Sequence, residues 1–233
     1  MVSKNQLKQI LKLKHKKYRT RFGYFVAEGE KIVNDLINSS WHAQSLYSLE
    51  DNFHPKAIKI DSSVMKKISH LKTPSPVLGV FKIPNKVKTK PSLLTIAIDK
   101  LIDPGNLGSI IRLCDWFGID DLICSLDTVD CYNPKVIQAT MGSISRVNIT
   151  YSDLNFLINK SKNLVLADMK GIALKKYNFK KDQIIFFGNE SEGISNHLKK
   201  VISESITIKK YGDKIDSLNV SNSVAIVLSH LNN

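Results

Sequence analysis

Apolar positions along the 233-residue chain follow two regimes. From residue 93 onward, short apolar runs alternate with stretches of helical period. LLTIAID at 93–99 is apolar almost throughout, as a strand covered on both faces should be. Helix 107–117 follows, then strand 121–125, helix 133–140, strand 146–150, helix 152–160, strand 163–167, strand 184–188, helix 194–202, strand 205–208 and a final helix 217–231. This alternation predicts an α/β fold, a mostly parallel sheet with helices on both faces. In such sheets ligands bind at the carboxyl ends of the strands, so chemistry is sought in the loops after 99, 167, 188 and 208. Upstream the pattern is shorter and mixed. Leu7, Ile10, Leu11 and Lys14 set a helical period over 3–14. A basic loop 15–23, strand 24–28, helix 30–39, strands near 44–48 and 57–60, helix 62–71 and strand 77–82 complete a small α/β domain. IPNKVKTKPS at 83–92 has two prolines, three lysines and no apolar period, and reads as a linker. The expected organisation is therefore a first domain 1–82, a linker 83–92 and a second domain 93–233.

Composition adds a core and a compartment. The hydrophobic fraction is 42%, enough for a packed interior, and no apolar run approaches the ~20 residues of a membrane span. The N-terminal stretch has no signal-peptide pattern. Three cysteines, Cys114, Cys124 and Cys131, form an odd set without ligand-like spacing. They read as reduced thiols of a cytoplasmic protein, with no metal site. Charge changes the picture more. Of the net +13, residues 1–90 carry 18 Lys and Arg against 6 Asp and Glu, while residues 91–233 carry 16 against 15. Residues 4–21 hold eight basic side chains and no acidic one. Such a field attracts a polyanion, and RNA or DNA is the default partner. The basic candidates are Lys14, Lys16, Lys17, Arg19 and Arg21.

Three loops of the second half carry candidate chemistry. After the strand 93–99, DKLIDPGNLGSIIR places Gly105 and Gly108 around Asn106, which can cap the helix beginning near Leu107. Arg112 sits in that otherwise apolar helix, with Asp115 three residues away as a surface partner. After strand 184–188, GNESEGIS brackets Glu190 and Glu192 with Gly188 and Gly193. Glu192 reads as a helix cap and Glu190 as a functional carboxylate at a strand end. In the last loop, Ser217 reads as an N-cap. The next turns cluster Asn219, Ser221, Asn222 and Ser223, poor helix formers that suit hydrogen bonding to something else. The chain has neither G-x-G-x-x-G nor G-x-x-x-x-G-K-[ST], so a phosphate-cradling nucleotide site is not supported, and a Rossmann dehydrogenase fails on the missing fingerprint and on glycines that come late in the chain.

Together these loops resemble the three motifs of the SpoU/TrmH-like RNA ribose 2′-O-methyltransferases, within the knotted SPOUT superfamily. The first motif, D-x-x-N-x-G-x-x-x-R, reads here as Asp103, Asn106, Gly108 and Arg112. The second, G-x-E-x-x-G, reads as Gly188, Glu190 and Gly193. The third, S-L-N-V-S, reads as Ser217, Leu218, Asn219, Val220 and Ser221. YNPKVIQATMGSISRV at 132–147 is similar to the intervening family stretch, and its Arg146 joins the RNA-contacting candidates. The resemblance spans about 93–231, with RTRFGYFVAEGEKIVNDLI more loosely similar to the family's N-terminal RNA-binding module. Ser191, Lys209 and Asn148 depart from residues common in the family, and none of the three removes a polar functional group.

The resemblance implies a C-terminal trefoil knot, S-adenosylmethionine as methyl donor, ribosomal or transfer RNA as substrate, and a homodimer whose interface includes helix 107–117 and the final helix. By position, the donor's pocket would use Ala167 to Gly171, Gly188, Ile208, Ser217, Leu218 and Asn219. Asn106, Arg112, Glu190 and Asn219 would form the catalytic set. The family implicates the arginine in activating the ribose hydroxyl. A guanidinium stays charged in proteins, so Arg112 could equally hold RNA phosphate and stabilise a developing alkoxide. The alternative reading is a non-catalytic RNA-binding or ribosome-assembly factor that keeps the fold.

Overall fold

Ser3 opens the first helix with a reciprocal cap: its hydroxyl accepts from the Gln6 amide while the Gln6 side chain accepts from the Ser3 amide. The computed structural model describes residues 2–85, 94–160 and 163–231. In chain order the helices are α1 (Lys4–Lys12), α2 (Lys16–Phe22), α3 (Glu30–Asn38), α4 (Ser62–Ile68), α5 (Pro104–Trp116), α6 (Pro134–Thr140), α7 (Asn155–Lys160), α8 (Asn196–Val201) and α9 (Val220–Leu231). The strands are β1 (Tyr24–Glu28), β2 (Ala43–Ser48), β3 (Ala57–Lys59), β4 (Val77–Lys82), β5 (Leu94–Ile98), β6 (Asp121–Ser125), β7 (Asn148–Ser152), β8 (Leu164–Ala173), β9 (Gln183–Phe187) and β10 (Ser205–Thr207). Residues 86–92 of the expected linker, and Leu93 of the expected strand 93–99, lie outside the described residues.

Two compact units emerge, Met1–Lys86 with Asp130–Ser145, and Val87–Val129 with Arg146–Asn233. In the first, β4 pairs antiparallel with both β1 and β2, and β3 extends the sheet parallel to β2. Ile10 and Leu13 join Met65 and Ile68 of α4 over Val26, Tyr47, Leu78 and Val80, one buried cluster. Residues 15–23, expected as a loop, are largely helix α2, closed by Gly23 in the left-handed region at φ 72°. Its buried side is held by an arginine rather than an aliphatic residue, which hides its amphipathic pattern. Arg19 is 3% exposed, donates to Asp130 at 2.6 Å, and caps the Leu13 and Lys14 carbonyls at 2.8 Å. The segment 130–145, drawn from the sequence as part of 93–233, packs with this first unit. The Tyr132 ring lies 5.0 Å from that of Phe25, and the Ser39 hydroxyl bonds Ser145 at 2.9 Å. Strand-helix alternation counts elements but does not say which core a helix serves.

The second unit is a six-stranded sheet in the order β10-β8-β9-β5-β6-β7, every pair parallel. Alternate side chains of β9 go to opposite faces. Ile184 and Phe186 join Leu154, Leu198 and Ile202, under α7 and α8. Ile185 and Phe187 are equally buried, on the face where α5 and α9 pack together. Chain order runs from β5 outward through β6 to β7, then returns across the sheet, so β5 and β9 flank the point where the strand order reverses. Their C-terminal ends open the crevice where open α/β sheets bind ligands. β7 begins at Asn148 rather than 146, after a 3₁₀ turn at Ser143–Ser145. β8 is twice the expected length because it pairs with β10 in two registers, Ser205 with Leu166 and Ile206 with Ile172. Residues 167–171 therefore bow out between two paired positions.

Candidate active site

Asp103 and Pro104 decide where the first loop becomes helix. Asp103 Oδ1 accepts from the Asn106 amide at 2.8 Å, and proline occupies the first turn, where its missing N–H costs nothing. The cap is thus Asp103, not Asn106 as the sequence suggested, and the Asn106 side chain is free for other contacts. Its Nδ2 donates to Glu190 Oε1, and its Oδ1 accepts from Asn219 Nδ2 at 2.9 Å. A carboxylate only accepts, so Glu190 fixes which way the Asn106 amide points. Asn219 is fixed as firmly: its Oδ1 accepts from the Ser221 amide at 2.9 Å and the Ser221 hydroxyl at 2.6 Å. Asn219 is therefore the cap of α9, in place of the expected Ser217. One side-chain chain, Glu190–Asn106–Asn219, ties together the loops following β5, β9 and β10.

Asn189 and Asp99, which the sequence analysis passed over, shape this junction. Asn189 Oδ1 accepts from the amides of Ser191 and Glu192 at 2.9 and 2.6 Å, and Gly193 N–H returns to the Asn189 carbonyl at 3.0 Å. Glu192 thus belongs to this turn and caps no helix. An asparagine directly after a glycine at a strand end was the available signal. Asp99, 2% exposed, accepts from Ser195 N–H at 2.8 Å, and its own amide donates to the Phe187 carbonyl, clamping the ends of β5 and β9.

Beside the three loops lies a cleft of about 760 Å³. Its walls come from residues 167–169, 187–194, 206–218 and the first turns of α9. Ala167, Gly188, Ile208, Ser217 and Leu218 line it, and so does Glu190. Asn219 does not line it but stands at its edge, between Leu218 and Val220, which do. Gly171 does not line it either. A Cβ there would come within 2.7 Å of the Ser205 backbone, so this glycine serves the close approach of β8 to β10. At Gly188 a Cβ would lie 2.1 Å from the Gly193 carbonyl carbon, so backbone meets backbone at this wall. Ser205 and Thr207 hydroxyls donate to the Lys170 and Met169 carbonyls, pinning the 167–171 bow. Asp168, among the lining residues, is paired with Lys199 at 2.6 Å; burial pushes its carboxyl up, but the Lys199 hydrogen bond and charge together with the Lys170 and Met169 amides outweigh it and hold the carboxyl below the usual range.

Arg112 is not part of the junction. It is exposed, and six residues along α5 put it about 9 Å further along the axis and roughly 120° around from Asn106. Its guanidinium forms no hydrogen bond or ion pair with any described residue. Asp115, the sequence's candidate partner for it, is taken by Arg146, whose guanidinium reaches both carboxylate oxygens at 2.9 and 3.1 Å. Arg146 is therefore an engaged cation, though 44% exposed. Of the other basic candidates, Lys14, Lys16, Lys17 and Arg21 are exposed. Arg19 is not among them: buried and tied to Asp130, its guanidinium cannot meet a polyanion. Trp116, 83% exposed, leaves a large apolar ring uncovered at the end of α5.

An all-parallel sheet with a cleft at the carboxyl ends of β8, β9 and β10, edged by side chains from three separate loops, is the arrangement in which α/β sheets hold small-molecule ligands. The chain belongs to the SpoU rRNA methylase family, whose profile matches residues 93–229. Residues 4–79 match the MRM3-like substrate binding domain. The 23S rRNA (guanosine(2553)-2′-O)-methyltransferase RlmP of Bacillus subtilis is 25% identical over 98% of this chain and 97% of its own. A TrmH-family protein from Porphyromonas gingivalis superposes with a TM-score of 0.86 at 30% identity, over 99% of this chain and 98% of that one. The AdoMet-bound rRNA methyltransferase of Sinorhizobium meliloti gives 0.87 at 25% identity, over 99% and 95%.

Proposed function

We propose that this RNA methyltransferase transfers a methyl group from S-adenosylmethionine to a ribose 2′-hydroxyl of ribosomal RNA, with the cleft holding the donor and the Glu190–Asn106–Asn219 junction positioning the reaction. The observation that carries this reading is the junction itself: three loops separated by up to 113 residues meet in one continuous hydrogen-bonded set at the edge of the cleft. The cleft also suits the donor. Its volume lies within the ~300–1,000 Å³ typical of small-molecule sites. Its lining offers Met169, Leu174, Ile208 and Leu218 to an adenine ring, backbone groups around Gly188 to polar edges, and Asp168, Glu192 and Asp216 to cationic groups. When bound, the donor supplies an electrophilic methyl on a cationic sulfonium, and the displacement needs only alignment and loss of the hydroxyl proton.

Alignment is the task of the junction. Each amide nitrogen in Asn106 and Asn219 has two hydrogens and spends one within the junction. The remaining N–H groups are pre-oriented donors for ribose or phosphate oxygens, and preorganised donors of this kind contribute through alignment and electrostatics. Arg112 supplies positive charge for the RNA phosphate and the developing alkoxide. On another face of α5 from Asn106 and exposed, it suits a homodimer in which a second copy's Arg112 completes the site, with α5, Trp116 and the outer face of α9 at the interface. The knotted threading of the C-terminal segments, a domain division near residues 83–92 and a cytoplasmic location belong to the same proposal. The test is ribose-methylation mapping of RNA from cells with and without the gene. Loss of one ribosomal 2′-O-methyl site supports the function. An unchanged map, together with no calorimetric binding of S-adenosylmethionine, favours a non-catalytic assembly factor.

A further inference from the structure

A second cleft, of about 460 Å³, lies wholly within the first unit, between α1 and the sheet. Its floor is apolar, the buried Ile10, Leu13, Tyr47 and Val80, and the aromatic rings open to it are the half-buried Phe22 and Tyr24. Besides the tyrosine hydroxyls, its polar side chains are Gln6, Gln9, Gln44, Ser45 and Arg21, and no carboxylate among the described residues lines it. Two of the amides have their oxygens occupied. Gln6 Oε1 accepts from Ser3 N–H at 2.8 Å, and Gln44 Oε1 accepts from the Tyr24 hydroxyl at 3.2 Å. Each keeps its N–H pair for a ligand.

The backbone is adapted to this end. β2 pairs Ala43 with Phe81 and Ser45 with Val80, which leaves Gln44 as an extra, unpaired residue. Successive strand residues normally face opposite ways, and a bulge re-aims one of them. Here it lets both Gln44 and Ser45 line the cleft. Arg21, on its rim, continues the exposed basic surface of Lys14, Lys16 and Lys17, so a nucleic acid backbone held there would deliver a base to the opening.

We propose that this cleft takes a single unstacked RNA base and prefers guanine or uracil over adenine or cytosine, because Gln6, Gln44 and Arg21 offer donors to a base edge that accepts, over aromatic rings that stack on its face. Guanine presents O6 beside N7, and uracil O4; adenine keeps N7 but has an amino group in place of O6, as cytosine has in place of O4. Single-stranded RNA is read in this way, by stacking and by hydrogen bonds to splayed-out bases. The proposal rests on the chain acting on RNA and assigns the base-reading site for that substrate.

The test uses the full chain and fluorescein-labelled pentaribonucleotides CCXCC with X as G, U, A or C, read by anisotropy. The wild type should bind G and U at least five-fold more tightly than A and C. Gln44→Glu replaces a donor with an acceptor on an exposed side chain, and should reverse or abolish that preference while thermal melting stays within a few degrees of wild type. Equal affinity for all four pentamers, or a preference untouched by Gln44→Glu, overturns the proposal. S-adenosylmethionine binding measured on the same samples separates the two readings: donor binding without base preference sinks this cleft alone, and absent donor binding sinks the methyltransferase reading instead.

Discussion

The Asn219 side-chain amide donates to Asn106 Oδ1 at 2.9 Å, joining two loops that lie 113 residues apart. Neither side chain can turn over without losing a partner, because Glu190 fixes the first and the Ser221 N–H fixes the second. Asn106→Ala removes the middle of this set while leaving the α5 cap on Asp103 intact. We expect kcat to fall ~10²–10³-fold, the scale of losing a preorganised donor. S-adenosylmethionine affinity should change by less than about three-fold, because a residue acting in the transition state does not set ground-state binding. Asn106→Asp should be at least as damaging, since it sets a second carboxylate against Glu190. Steady-state kinetics paired with calorimetry checks both.

Arg112 and Asn106 make different demands. If Arg112 contributes charge alone, Arg112→Lys retains measurable turnover and Arg112→Ala loses ~10²-fold or more. If it grips planar groups through two N–H bonds, the lysine variant falls with the alanine one. Single-turnover methylation separates these cases. Mixed dimers of Arg112→Ala and Asn106→Ala chains also test a site shared between copies. Recovered activity places the two residues in trans, and no recovery places them in cis.

Arg19 should behave as a structural residue despite lying in the most basic stretch of the chain. Arg19→Met strands the Asp130 carboxylate and should cost ~3–5 kcal/mol, as breaking a buried pair does. Lys16→Ala with Lys17→Ala should leave the denaturant midpoint unchanged, weaken RNA binding and flatten its salt dependence. Urea melts and filter binding at several salt concentrations read out the contrast.

His70 gives the first unit an acid-sensitive point. Burial, more than the neighbouring positive charges of Lys14 and Arg19, depresses its pKa from 6.5 to about 4, against the opposing pull of the Ile10 carbonyl. Its Nε2 lies 3.0 Å from that carbonyl, and Nδ1 has no partner, so a second ring proton would be buried unsatisfied. A depressed histidine pKa means the unfolded chain binds the extra proton first. The stabilising effect is complete above pH 6.5 and is lost as pH falls from there through 4, on the order of 3 kcal/mol in all. Glu28 works the other way: burial raises its carboxyl, so its contribution weakens as pH rises above the ordinary range. His70→Gln should flatten the decline in stability between pH 6.5 and 4 in urea titrations followed by circular dichroism. An unchanged slope would assign that decline to other groups.

Most of the strand-helix alternation was legible because period and length separate buried strands from amphipathic helices, as β1, β4 and β9 show. The three loops were legible as motifs, and Asn106, Glu190 and Asn219 do converge. Local signals misled where a long-range contact decides. α2 escaped notice because its buried side is an arginine whose partner, Asp130, lies 111 residues away. β8 outran its apolar run because β10 pairs with it twice. The caps at Asp103 and Asn219 were misassigned by one helical turn or less, and that difference is what frees Asn106 for its two long-range bonds. Gly171 read as a ligand-facing glycine, but its missing Cβ makes room for another strand.

The most direct measurement uses S-adenosylmethionine labelled in the methyl group, with ribosomal RNA from cells lacking the gene. After alkaline hydrolysis, label carried on a ribose 2′-oxygen survives as an alkali-stable dinucleotide. The account predicts such a dinucleotide with wild-type protein and its near-complete loss with Asn106→Ala, although that variant still binds the donor. Label recovered on a base, or ribose labelling that Asn106→Ala leaves intact, would contradict it.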